Sequence, residues 1–198
     1  MEYGSRLRFV IITLVAIVLL ALSAWGIASV SKRIFGGSKT ATTQEQKIEL
    51  LDYDRPSTSV KLVVQGPIVA DEQFVSYVIE VGQDFRQITL YKGYGNTIVQ
   101  QKRYDNNPQA YRAFLEALRR AGYTSKVKGA SDNEQGACAT GKRYVYELND
   151  LDEQVMRTWG VSCTSSQGSF GGTGSAVRSL FKSQVPDYTT LLKGSGLI

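Results

Sequence analysis

No histidine occurs anywhere in the 198 residues of this chain. That absence removes Ser-His and Cys-His nucleophile pairs, histidine-ligated metal centres and the commonest general base. Cysteine is nearly as scarce. Cys138 and Cys163 are the only two, short of the usual zinc ligand sets when no imidazole is available. Neither lies near the hydrophobic N-terminal run, which excludes bacterial lipoprotein processing. Proline is confined to four positions, Pro56, Pro67, Pro108 and Pro186. Charge of one sign is not dominant either, with 23 Lys and Arg against 18 Asp and Glu. An enzyme built on this chain would need carboxylates, a Ser-Lys pair or a bound cofactor, and no cofactor motif or metal-ligand pattern is recognised.

What is present begins with residues 9–30, from Phe9 to Val30, which carry no charged side chain. As a helix rising about 1.5 Å per residue, this run is long enough to cross a hydrocarbon layer of about 30 Å. Arg6 and Arg8 precede it, Lys32 and Arg33 follow it, and Trp25 stands near one end, where an amphipathic ring suits the interface. Basic anchors at both ends leave orientation open. A cleavable signal peptide is the competing reading, with small residues at Ala24/Gly26 or Gly26/Ala28. Its apolar region is usually about 7–15 residues, shorter than this run. An amphipathic surface helix is excluded because the segment is apolar on all sides.

Residues 31–59 are rich in Ser, Thr, Gln and Lys and read as a flexible linker, with a short helix accommodated around residues 44–51. From Val60 the pattern turns to strands. Residues 61–69 contain Leu62, Val63 and Val64 before Gly66-Pro67, and Val75, Tyr77, Ile79 and Val81 alternate along residues 74–81. Residues 86–91 and 97–104 flank a glycine-bearing turn at 92–96. These four strands suggest an antiparallel meander. Asn107-Pro108 then opens the clearest helix, with Tyr111, Phe114, Leu115 and Leu118 as its apolar stripe, Glu116 and Arg120 as an exposed pair, and Gly122 as its end.

Tyr144, Tyr146 and Leu148 alternate before the polar stretch 149–153, and Val155, Arg157, Trp159 and Val161 alternate after it, which predicts a hairpin. If Leu148 faces Gln154 across the turn, Cys163 lies opposite Ala139, one residue from Cys138. A Cys138–Cys163 disulfide is expected, with two buried free thiols as the competing reading, and the bond implies an oxidising compartment. The head is therefore expected outside the cytoplasm and the N-terminus inside. A second helix over 175–185, with Val177, Leu180 and Phe181 inward, ends at Pro186. The expectation is an α+β chain: cytoplasmic residues 1–8, a transmembrane helix at 9–30, a linker at 31–59 and a two-layer domain at 60–198.

Candidate chemistry in that domain is sparse. Glu147, Asp150, Asp152 and Glu153 gather at the hairpin turn, where a solvated charged tip competes with an acid pair. Gly168, Gly171, Gly172 and Gly174 precede a helix, so their amides could cradle an anion, but neither phosphate-binding glycine pattern is present and a loop with Phe170 beneath it is the simpler reading. Basic residues cluster as Lys102, Arg103, Arg112, Arg119, Arg120, Lys126, Lys128, Lys142 and Arg143, with Tyr104, Tyr111, Tyr123 and Tyr144 among them. Such a face can attract nucleic acid, anionic envelope polymers or lipid headgroups. A mildly basic soluble surface explains it more simply, and nucleic acid is not expected as a partner.

The blocks Glu134–Leu148, Trp159–Cys163, Gly168–Gly172 and Val177–Tyr188 resemble those of membrane-anchored proteins of Saccharibacteria and related ultrasmall bacteria. The resemblance implies a bacterial envelope setting and carries over no functional residues. The expected role is a membrane-tethered, non-enzymatic module that contacts a protein, an envelope polymer or a host surface. The candidate binding residues are Tyr94, Lys102, Arg103, Arg119, Arg120, Phe170, Gly171 and Gly172. The alternative is a structural subunit of a pilus or secretion apparatus. The general plan is similar to type IV pilins, but the helix beginning at Phe9 has neither a leader-peptidase site ahead of it nor a glutamate near its start. An envelope hydrolase is the more distant reading.

Overall fold

The alternation of apolar residues determines which side of each strand is buried. In β1 (Thr58–Gln65), Val60, Leu62 and Val64 are buried while Lys61, Val63 and Gln65 are half-buried. In β2 (Val75–Gly82), Tyr77, Ile79 and Val81 face the same side. The strands β3 (Phe85–Lys92) and β4 (Thr97–Asp105) complete an antiparallel meander in the expected order. The computed structural model describes residues 48–164 and 168–198. The helix expected over residues 9–30 and most of the expected linker lie outside the described residues. Among those described, no helix is long and apolar enough to cross a membrane.

The hairpin of β5 (Arg143–Asp150) and β6 (Glu153–Val161) joins the free side of β1, giving a six-stranded antiparallel sheet in the order β4-β3-β2-β1-β5-β6. Pairs such as Leu62 with Tyr146 and Val60 with Leu148 continue one apolar face across that junction. Against this face lie α1 (Pro108–Arg120), α2 (Gly174–Ser183) and the short α3 (Tyr188–Leu191), so the domain has the expected α+β, two-layer form. Asn107 caps α1, its side-chain carbonyl accepting from the Ala110 N–H at 2.9 Å, with Pro108 in the first turn. Gly122, in the left-handed region at φ 75°, lets the chain turn away at the helix end.

The linker reading fails at its C-terminal end. Leu50 is fully buried in the core, within a 3-10 turn over Leu50–Tyr53, and Ile48, Leu51 and Tyr53 pack against the same cluster. Thr58, where β1 begins, donates to the Arg55 carbonyl at 2.9 Å and lies 3.2 Å from the Tyr111 hydroxyl. The folded body therefore starts by Ile48, because the apolar spacing of Ile48, Leu50 and Leu51 supplies a stripe that seats beside α1.

The cysteine hairpin also differs from its expected register. Leu148 pairs with Met156, not Gln154, and the register shifts between Leu148 and Asn149, so the loop shrinks to Leu151 and Asp152 with Leu151 at φ 52°. Continuing the ladder places Cys163 opposite Gly141. The disulfide to Cys138 forms nonetheless, with a Cα–Cα distance of 5.7 Å, because residues 138–141 turn back on themselves. The Gly141 N–H donates to the Cys138 carbonyl at 3.0 Å, and Cys138 is itself left-handed at φ 49°.

Candidate functional site

The two edges of the sheet are treated differently by the chain. Along β6, the Phe170 N–H donates to the Trp159 carbonyl at 2.9 Å, and the Trp159 N–H donates to the Ser169 hydroxyl at 3.1 Å. A second layer follows, since the Val127 N–H reaches the Ser169 carbonyl at 2.8 Å and the Gly171 N–H reaches the Ser125 carbonyl at 2.8 Å. The unpaired groups of an edge strand invite another strand, and at Trp159 the protein's own loop occupies them. The open face of β5 and β6 is covered too. Arg157 pairs with Glu134, whose carboxyl is held below its ordinary range by that guanidinium, and the Trp159 indole donates to the Ser131 carbonyl at 2.9 Å.

The glycine segment is therefore part of the packing. The amides of Phe170, Gly171 and Thr173 are already given to backbone carbonyls, so they are not free to cradle an anion. Phe170 lies against Tyr146, ring centroids 4.2 Å apart. A Cβ on Gly172 would collide with the Gly122 carbonyl and stand 2.8 Å from the Ala121 carbonyl, both rigid backbone. Gly172→Ala should therefore destabilise the whole fold, by about 1–3 kcal/mol for overpacking of this kind. Urea denaturation with the disulfide intact measures it. An unchanged midpoint would show that the loop tolerates the side chain.

At the other end, β4 is exposed along its length, with Tyr104 alone half-buried. Among the described residues nothing pairs with its outer side. Its N-terminal end is also irregular. Tyr91 pairs with Ile98 and Leu90 with Gln100, so Val99 has no partner of its own and Ile98 and Val99 together oppose Tyr91. Both are apolar and both are open to solvent, at 56% and 57% of their surface. Tyr94, 48% exposed in the adjoining turn, stacks on Phe74 with centroids 4.1 Å apart and donates to the Val69 carbonyl at 2.9 Å. Ile68 and Val69 are exposed beside it, and the Ile68 N–H donates to the Ala139 carbonyl at 2.7 Å, within the turn that the disulfide holds. An apolar corner thus sits at the end of the open edge, tied by hydrogen bonds to the turn that the disulfide closes.

The remaining candidates are dispersed. Lys102 is ion-paired with Asp187, which raises its pKa, and Arg103 lies 3.8 Å from Asp84 with its guanidinium 4.0 Å from the Phe85 ring centre. Arg119 is exposed in the last turn of α1, while Arg120 pairs with Glu116 at 3.4 Å, as expected. Arg120 borders an open groove of about 640 Å³ between α1 and α2, lined by Ala117, Ala121, Ala176, Ser179 and Leu180. It is the only ionisable side chain there, so this groove brings no acid and base together. The hairpin carboxylates diverge as well, with Glu147 3.7 Å from Arg157 and Asp150 accepting from the Ser57 hydroxyl at 2.7 Å.

Tyr94, Lys102 and Arg103 therefore share one hairpin, whereas Phe170, Gly171 and Gly172 belong to the far edge and Arg119 and Arg120 to a helix end. Ile68, Val69, Ile98 and Val99 were not anticipated as surface residues. The adjacent pair Ile98-Val99 carried the available signal, because strand alternation can bury only one of two consecutive side chains. Comparison with protein-family models, with curated proteins and with solved structures finds no match to this chain.

Proposed function

We propose that this domain is the extracytoplasmic head of a membrane-tethered module that binds a protein partner and performs no chemistry. The observation that carries the reading is the open β4 edge, ending in the exposed Ile98, Val99 and Tyr94, on a sheet whose other edge is capped at Trp159 by Ser169 and Phe170. Edge strands take partners through main-chain hydrogen bonds and gain selectivity from neighbouring side chains. The disulfide suits an oxidising environment. The uncharged run at residues 9–30 supports the tether.

A photoreactive residue in place of Ile98, in the full chain expressed in its native membrane, tests the reading. Irradiation is expected to give a protein adduct from position 98 and none from a control at Arg119. Absence of any adduct at 98, with the protein folded and present in the membrane, would refute β4 as the contact edge.

A further inference from the structure

We infer that the helix side of the domain carries a binding site for a phosphate group, formed by Lys142, Arg178 and Lys182 around Tyr144. It is separate from the β4 edge and does not depend on that edge being a contact. Arg178 and Lys182 stand four residues apart on α2 and so share one helix face. Lys142 stands two residues before Tyr144, and the pairing of β5 with β6 extends to it, since the Ser162 N–H donates to its carbonyl at 2.9 Å. The two side chains therefore leave the same face of the sheet. The Arg178 guanidinium stacks on Tyr144, 4.2 Å from the ring centre, and reaches the Tyr146 hydroxyl at 3.5 Å. The Lys182 ammonium lies 5.2 Å from the centre of the Tyr188 ring. Burial, and then the charge of Lys182, hold the pKa of Lys142 below its ordinary value. All three cations and Tyr144 are half-buried.

This grouping is unfavourable in the empty domain. Like charges four residues apart destabilise a helix, and partial burial strips water from a cation. Yet the fold provides no countercharge. Among the described residues none of the three is ion-paired. Helix α2 has no acidic residue, and Asp187, just beyond it, is taken by Lys102. Lys142 donates to the Leu197 and Ile198 carbonyls at 3.0 and 3.2 Å. The Tyr144 hydroxyl has no hydrogen bond among the described residues. By contrast, Lys61 and Arg157, half-buried on the opposite face, lie 3.5 Å from Glu80 and 3.7 Å from Glu147. The helix dipole favours Lys182 in the last turn of α2, but not Arg178 or Lys142. A carboxylate brings one charge to three cations, whereas a phosphate monoester brings about −1.5 to −2 and three acceptor oxygens. The guanidinium fork can take two of these oxygens, leaving the third to the ammonium groups and the Tyr144 hydroxyl.

The test uses the full chain in nanodiscs of phosphatidylcholine, which bear no net charge. Uptake of radiolabelled inorganic phosphate is followed by equilibrium dialysis, with chloride holding the ionic strength constant. Saturable uptake of a single phosphate per chain is expected. Arg178→Gln and Lys182→Gln should each weaken it about tenfold, the scale of one lost charge-assisted contact. Lys128→Gln, which removes an exposed cation elsewhere, should leave it unchanged. Lys182→Gln should also leave the thermal midpoint of the phosphate-free chain no lower, which a purely structural lysine would not allow. Adding phosphatidylglycerol to the nanodiscs identifies the source of the group: uptake competed away assigns a lipid headgroup, and unchanged uptake assigns a soluble phosphate compound. Absence of saturable uptake overturns the inference. So does a folded Lys182→Gln chain that binds like the unmodified one, or a loss with Lys128→Gln as large as with Lys182→Gln.

Discussion

Phe181→Ala is expected to remove about 3–5 kcal/mol of stability, the range for truncating a fully buried phenylalanine. Phe181 has no exposed surface and is the point where α2 meets α1 and the sheet. Its ring meets Phe114 edge-on with centroids 5.3 Å apart, and lies 5.9 Å from Tyr123. Tyr123 in turn places its hydroxyl 2.9 Å from the Lys61 carbonyl and 2.8 Å from the Glu147 carbonyl, which fixes that ring to β1 and β5. Neighbours so tied cannot close around the lost ring, so the cost should fall near the top of the range. Leu180→Ala, on a half-buried residue of the same helix, should cost much less. Urea denaturation of the oxidised protein separates the two. Equal losses would show that α2 is held by its general apolarity and not by Phe181.

The same core shows where the sequence was legible. Strand alternation in β1 and β2, the Asn107-Pro108 start of α1 and the Pro186 stop after α2 each rest on local rules, and the structure follows them. Tyr111 and Tyr123 were harder to place. They lie among basic residues and so suggested an aromatic, cationic surface as readily as a core. Both are fully buried. Tyr111 belongs to the apolar stripe of α1, but Tyr123 follows Gly122, outside any periodic segment. What buries it is the pair of carbonyls waiting for its hydroxyl, and these are brought together only when β5 docks on β1. Burial accordingly pushes the Tyr111 hydroxyl up to about 12 and that of Tyr123 well above its ordinary value.

The start of the folded body and the close packing of the glycine segment escape a sequence reading for a related reason. Residues 48–51 are apolar but too few to show a period, so the polar composition around them dominated, and only the presence of α1 explains the burial of Leu50. The glycines at 168–174 look flexible in a sequence because their lack of side chains is visible and their close contacts are not. Tyr94 could be proposed from its place in a turn. The open edge could not, because which strands end the sheet depends on β5 joining β1, a pairing between residues far apart in the chain.

Replacing both cysteines with alanine should cost about 3.5 kcal/mol, the loop-closure value for a bond between residues 25 apart. Most of that loss acts on the unfolded chain, which regains the freedom of the loop carrying the β5–β6 hairpin. The folded state contributes a local part. A Cβ on Gly141 would strike the Cys138 sulfur and approach within 2.6 Å of the Ser162 hydroxyl, so the turn over residues 138–141 is shaped around the bond. That turn holds Ile68 through the Ala139 carbonyl, and Ile68 leads into Val69 and Tyr94. Loss of the bond should therefore speed amide exchange at Ile68 more than at Val60 or Leu62 in the sheet centre. Chemical denaturation of the double variant measures the total, and hydrogen exchange resolves the local share. A loss under about 1 kcal/mol would mean that the hairpin retains its order in the unfolded chain. Unchanged exchange at Ile68 would mean that the apolar corner stands without the disulfide. The predicted combination, a large global loss with selective loosening at Ile68, makes the bond both a brace for the fold and the support of the surface next to β4.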